Sequence, residues 1–243
     1  MRRQVLPEML DRLPADDPAA RASRSDLVRI NRLMGHARMV RRQLRALFGS
    51  GQIRSVLELG AGEGTLLAAI IRQSDRFASA GRVVLLDQNP AVSPSVTGAL
   101  TRRGWQVQIV RAEAVSWLSQ AGERFDWIFA NLFVHHFADG ALQLLLRHTA
   151  ERTDGFIACE PRRNLFALGA ACALRWLRCH PVTCHDARVS VRAGFRGREL
   201  SAAWPGDTDW IVQERPAGLF SHLFSAQRRS VAARRHRVAL FNG

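Results

Sequence analysis

Residues 56–71 read VLELGAGEGTLLAAII, and the fold turns on them. Val56, Leu57 and Leu59 make a short apolar run bounded by glycine, the mark of a buried strand. From Thr65 the spacing becomes that of a helix. Between the two, Gly60, Gly62 and Gly64 remove the side chain at every second position. Such a turn lets a ligand reach the backbone, with the unpaired N–H groups of the next helix close by. An acid, Glu58, precedes the first glycine by two residues.

Outward from that turn the chain alternates. Strand-like runs at 55–60, 82–87, 105–110, 125–131 and 155–161 are separated by helix-like runs at 65–74, 92–104, 114–122 and 139–153. A long apolar helix follows over 164–178, and a further helix is expected to end at Gly194. Strand–helix alternation predicts an α/β fold with a doubly wound, mostly parallel Rossmann-like sheet covered on both faces. Two late strand candidates, 197–204 and 209–216, have no long helix between them and are expected to form an antiparallel hairpin at one edge. Upstream, Ser25 or Asp26 is expected to cap a helix running to Phe48, ended by Gly49 and Gly51. Residues 1–24, rich in proline, alanine and charge, are expected to be loosely ordered. The domain reading is an N-terminal helical segment or lid over 1–50 and one main domain over 51–243.

The length of 243 residues suits one such domain. No apolar run reaches the about 18 residues of a membrane span. The first 26 residues lack the apolar centre of a secretion signal, so the cytoplasm is the expected location. The net charge of +14 raises nucleic acid or an anionic surface as a partner. Yet the chain contains no lysine and no tyrosine, so every basic side chain bar histidine is arginine. GC-rich coding produces that bias without a polyanionic partner, and a solvated basic surface, its charge concentrated in the tail from Ser225, is the expected reading. Peripheral contact with a membrane surface stays open. Cys179, His180, Cys184 and His185 fall within seven residues. Adjacent Cys-His pairs rarely both reach one tetrahedral ion, so no metal is expected there.

The tight G-x-G-x-G turn with its leading acid resembles the E/D-x-G-x-G-x-G pattern of class I S-adenosylmethionine-dependent methyltransferases. The likeness continues in order through LLD (85–87), RAEA (111–114) and NLFVHHF (131–137), across roughly residues 53–160. It implies S-adenosylmethionine as cofactor and S-adenosylhomocysteine as product. By the resemblance, Gly60, Ala61, Gly62 and Gly64 cradle the cofactor. Asp87 accepts its ribose hydroxyls, as a strand-end carboxylate does in nucleotide folds. Glu113 serves the adenine amino group, with Gln88 and Ala112 at the adenine edges. Glu58 helps to place the methionine end, and Asn131 and Leu132 offer backbone groups to its ammonium.

His135 and His136 follow the fourth strand, and an imidazole with a pKa near working pH can deprotonate a phenol or enol. His135 is the slightly preferred base. The N/D-P-P-Y/F motif of nucleic-acid base methylators is absent at Asn131–Val134, and no nucleophilic cysteine stands there. NLFVHHF is similar to enzymes that methylate quinones, polyketides and other phenolic products of secondary metabolism. The expected acceptor is therefore small and aromatic or lipid-like, methylated on oxygen or carbon, with the helix 164–178 available to line its pocket. Arg162, beside Arg163 after the fifth strand, is placed to hold a carboxylate or phenolate. Asn31 and His36 are lid candidates. Two alternatives are carried forward: an RNA methyltransferase using the arginine-rich surface, and a non-catalytic methyltransferase-fold partner protein.

Overall fold

A computed structural model describes residues 1–14, 16–47, 52–206 and 208–229. Its centre is a mixed sheet of seven strands: β1 Ile53–Leu59, β2 Phe77–Asp87, β3 Trp105–Arg111, β4 Trp127–Asn131, β5 Gly155–Pro161, β6 Trp210–Ala217 and β7 Ser221–Arg228. They lie in the order β3-β2-β1-β4-β5-β7-β6. The first five run parallel, and β7 pairs antiparallel with both β5 and β6. Every residue of β5 is buried, as expected of a strand covered on both faces.

Two apolar layers hold the sheet. On one face Leu57, Leu59, Ile128 and Phe156 pack with α5 (Ala114–Gln120), α6 (Asp139–Arg152) and α9 (Glu199–Ala203). On the other, Val56, Val83, Phe129 and Ile157 pack with α2 (His36–Leu47) and α3 (Thr65–Arg72). Beside α3 lies α4 (Pro94–Thr101). Chain order reverses between β1 and β4, so their carboxyl ends flank the switch point where such sheets bind ligands.

The expected N-terminal helix is two helices. α1 spans Pro18–Met34, and Gly35 at φ 70° turns the chain into α2. The start lies earlier than Asp26 because Asp17 caps it, accepting from the N–H groups of Ala19 and Ala20, with Pro18 at the first position. Asp26 instead accepts from His180 N–H and Thr183 Oγ1. Gly49 and Gly51 lie outside the described residues, as does the tail from 230.

The first residues are packed rather than loose. Gln4 N–H reaches Arg192 O, and the N–H groups of Met9 and Leu10 both donate to Asp186, on α8 (Pro181–Ala193). Polar anchoring does here what the sparse apolar content of the segment cannot. The strand expected at 197–204 is α9. Its first N–H groups, those of Leu200 and Ser201, are capped from far along the chain by Glu214. The hairpin is instead β6–β7, and β7 is so completely buried between its neighbours that no alternation marks it. The apolar helix is shorter than expected: α7 covers Leu165–Ala173 and a 3₁₀ turn continues to Leu177.

Candidate active site

At the switch point a cleft of about 410 Å³ opens. Its floor is the glycine turn. Gly60, Gly62 and Gly64 all have positive φ, at 65°, 51° and 67°. A Cβ at Gly60 would meet the Phe133 ring at 2.2 Å, so that glycine is required by packing. A Cβ at Gly62 would meet nothing within 4 Å and would project into free space. The two glycines therefore do different jobs: one admits a neighbouring ring, the other leaves room above the backbone.

Asp87 ends β2 and holds this turn. Its Oδ2 accepts from Gly62 N–H at 2.8 Å and its Oδ1 from Asn89 N–H at 2.7 Å. A carboxylate has about four lone-pair sites, so acceptors remain toward the cleft, which Asp87 lines with Gln88. Glu58 lies beneath, 3% exposed, and among the described residues it accepts only a long 3.4 Å contact from Leu67 N–H. Burial, helped by the charge of Asp87, pushes its carboxyl up to about 8. A buried acid so poorly served is suited to meet a cation.

Glu113 caps α5, its two oxygens accepting from Val115 and Ser116 N–H. Burial opposes its charge, but those N–H groups outweigh it and hold the carboxyl below its usual range. Glu113 and Ala112 stand beside the cleft rather than in its lining, Ala112 being tied to Asp87 O through its N–H.

Opposite the glycines, Asn131, Leu132, Phe133, His136 and Phe137 form the wall after β4. Leu132 has φ 52°, and the strain there is supported from behind. Glu160, at the end of β5 and fully buried, accepts from the N–H groups of Phe133, Val134 and His135 at 3.1, 2.9 and 3.3 Å. It also holds His135 Nδ1 at 2.7 Å. On the other side of that ring, Glu8 Oε1 lies 3.4 Å from Nε2. Burial disfavours a charge on His135, but its bonds to Glu160 and Glu8 and their charges prevail, raising it to about 9. His135 is thus an imidazolium locked between two carboxylates, unable to accept a proton at neutral pH.

His136 differs. It faces the cleft, and burial together with the positive charge of His135 lowers its pKa. Its Nδ1 lies 3.6 Å from Asp11 Oδ2. Of the two histidines, it is His136 that lines the cleft.

Of the remaining expected residues, Asn31 lines the cleft, its buried Oδ1 without a partner among the described residues. His36 is buried behind Asn131 and outside the lining, bonded to Ser221 Oγ at 3.1 Å, and burial lowers it to about 4. Arg162 turns to Gly218 O and is not in the lining. Arg163 is buried against Glu199 and the Gly194 carbonyl. The helix 164–178 does not line the cleft either. Cys179 to His185 do not converge: His180 Nδ1 accepts from Val182 N–H at the start of α8, and His185 turns to Asp186. Among the described residues, Glu8, His135 and His136 bring ligand atoms within 4.8 Å of one another, but both ring nitrogens of His135 already face a carboxylate, Nδ1 that of Glu160 and Nε2 that of Glu8.

The sequence reading missed Glu8, Asp11 and Glu160. Glu160 was legible as an acid inside an apolar strand. Glu8 and Asp11 carried no local signal.

Fold and cleft together define a class: an α/β protein with a Rossmann-like sheet and a glycine turn at its switch point. Residues 56–153 match the model of a family described as "Methyltransferase domain". The match runs from β1 to the segment before β5. No curated protein matches the sequence. Among solved structures, the chain is similar to a plantazolicin methyltransferase in complex with SAH, with 11% identity, 88% of this chain and 92% of that one covered, and a TM-score of 0.63. It is also similar to a mitomycin 7-O-methyltransferase, with 18% identity, 90% and 60% coverage and a TM-score of 0.55. At these identities the likeness establishes the fold.

The residues present fit S-adenosylmethionine. The space above Gly62 admits a ligand against the backbone, and the under-served acid at Glu58 suits a cationic amino-acid end.

Proposed function

We propose that this protein transfers a methyl group from S-adenosylmethionine to an oxygen or carbon of a small, aromatic or lipid-like acceptor. The observation that carries the reading is the cleft itself. A glycine turn with Asp87 and Glu58 on one side faces a neutral imidazole, His136, on the other. When bound, the cofactor supplies an activated methyl group. Glu58 would hold its cationic methionine end, with the backbone of Asn131 and Leu132 beside it. Asp87 would accept from its ribose hydroxyls and Gln88 would border the adenine, with Ala112 and Glu113 behind it.

The protein's own task is to position the acceptor and exclude water, and orientation is worth about 7–11 kcal/mol in such reactions. Where the acceptor is a hydroxyl, its proton passes to the His136 imidazole, and Asp11 stands beside Nδ1 to stabilise the cation formed. His135 and Glu160 fix the turn that carries His136. The free Oδ1 of Asn31 offers an acceptor to a substrate hydroxyl. α1 and the segment before it act as the lid. The likeness to natural-product methyltransferases and the apolar residues Leu27, Val28, Phe133 and Phe137 in the lining support a small apolar acceptor.

The test is a radiolabel assay. Tritium from labelled cofactor is expected in members of a phenolic and quinol library and not in bulk RNA. A defined modified nucleotide in RNA, with no small acceptor labelled, would overturn the reading.

A further inference from the structure

The most exposed of the large apolar side chains gather on one edge of the molecule. Leu165 and Phe166 begin α7, and Trp176 and Leu177 end the 3₁₀ turn after it. They are 74%, 76%, 76% and 60% exposed. Leu33 on α1, 75% exposed, joins them: Arg29, one turn earlier on the same face, donates to Leu177 O. Leu219, 61% exposed, lies at the other end, where Asn164 Nδ2 donates to its carbonyl. α7 packs Ala167 and Ala171, with Leu168 beside them, toward α8 and turns Leu165 and Phe166 outward. This inverts the usual arrangement for a core helix.

The position is not arbitrary. α7 leaves the carboxyl end of β5, and the turn before β7 lies at the same end, Pro161 opposite Ser221. The patch therefore shares the strand-carboxyl edge with the cleft, and α1 walls the cleft while carrying Leu33. Its charge is one-sided. Residues 161–185 contain Arg162, Arg163, Arg175 and Arg178 and no acid. Arg163 is buried, while Arg175 and Arg178 are exposed around Trp176, the Arg175 guanidinium stacking 5.1 Å from its ring.

We propose that this edge docks on an anionic lipid surface, with Phe166, Trp176 and Leu177 entering the interface and the arginines meeting the headgroups. An apolar patch rimmed by cations, with an indole among them, matches what an acidic bilayer surface offers: acyl chain below, negative charge above. No helix among the described residues is long and apolar enough to cross a membrane, so the contact is peripheral. Docking would bring the mouth of the cleft to the layer where apolar acceptors partition. The inference stands on the patch and its charge, whatever the reaction.

The test is co-sedimentation of the full chain with vesicles of equal parts phosphatidylcholine and phosphatidylglycerol, and with pure phosphatidylcholine vesicles. Binding is expected to the first, weakening with salt, and to be far weaker on the second. Phe166→Asp with Trp176→Asp changes two exposed side chains and should leave the fold intact, as circular dichroism would check. Binding should then fall by about tenfold or more. Brominated lipid should quench wild-type tryptophan fluorescence, and Trp176→Phe should remove most of that quenching. Failure to sediment with the anionic vesicles at low salt, or equal binding by the double variant, would overturn the proposal. So would a stable dimer in light scattering that the double variant abolishes while wild type ignores lipid, since the patch would then meet a second copy. Loss of cofactor binding in wild type, with vesicle binding retained, would count against the proposed reaction and not against docking.

Discussion

Binding of the cofactor should be coupled to release of a proton from Glu58. The carboxyl lies 3% exposed under the glycine turn, and burial lifts it to about 8. At pH 7 it is then about nine-tenths protonated in the free protein. A cationic ligand end favours the ionised form, so binding must expel that proton. If the bound carboxyl returns to about its ordinary value, about 0.9 proton leaves at pH 7, and affinity rises about fifty-fold from pH 6 to pH 8. Titration calorimetry in buffers of different ionisation enthalpy counts the proton directly. Glu58→Gln cannot ionise and should lose this component, while the ligand's own amine contributes equally in both proteins. The same carboxyl carries a folding signature. A raised native pKa means that its contribution to stability is complete below about pH 4.5 and is lost as pH climbs through 8. Glu58→Gln should therefore raise the melting temperature of the free protein at pH 8 and change it little at pH 4.5. Equal proton release by wild type and variant would refute the assignment of Glu58 to the cationic end.

Other outcomes follow from the same geometry. Gly60→Ala places a Cβ into the Phe133 ring and should impair folding. Gly62→Ala meets no protein atom, so it should cost about 1–2 kcal/mol of stability, the strain of its positive φ, and weaken cofactor binding more than that; thermal melts beside titrations separate the two. His136→Ala should lower kcat by about 10²–10⁴ and leave cofactor affinity within about threefold, and unchanged turnover on the true acceptor would exclude it as base. His135→Ala strands Glu160 and Glu8 without their shared partner and should cost about 3–5 kcal/mol of stability. Because His135 is raised to about 9, its stabilisation is whole below about pH 6.5 and fades as pH rises through 9, which a pH series of melts would show.

The parallel core of this fold was readable because its strands are continuous apolar runs and its glycine turn has a period of two. What failed did so for non-local reasons. α9 looks like a strand until Glu214, from the next strand, caps it. β7 shows no alternation because both its faces are covered, Phe224 and Ala226 by one apolar layer and Leu223 by the other. Asp26 looks like a cap but is engaged by α8, while Asp17 does the capping. In the cleft, Glu58, Gly62, Asp87 and Asn131 take places in the lining where motif and strand end coincide. The choice between His135 and His136 was not legible. It depends on Glu8 and Glu160, one distant in sequence and one across the sheet, which together turn one imidazole into a fixed cation and leave the other neutral.

The central claim is that the cleft above the glycine turn binds S-adenosylmethionine through Asp87. Calorimetric titration of the wild-type protein with S-adenosylmethionine and with S-adenosylhomocysteine tests it directly. Saturable binding in the micromolar range is expected, weakened by about 1.5–3 kcal/mol in Asp87→Ala, the worth of a hydrogen bond to a charged group. A folded wild type that binds neither ligand, or an Asp87→Ala protein that binds both as tightly as wild type, would contradict it.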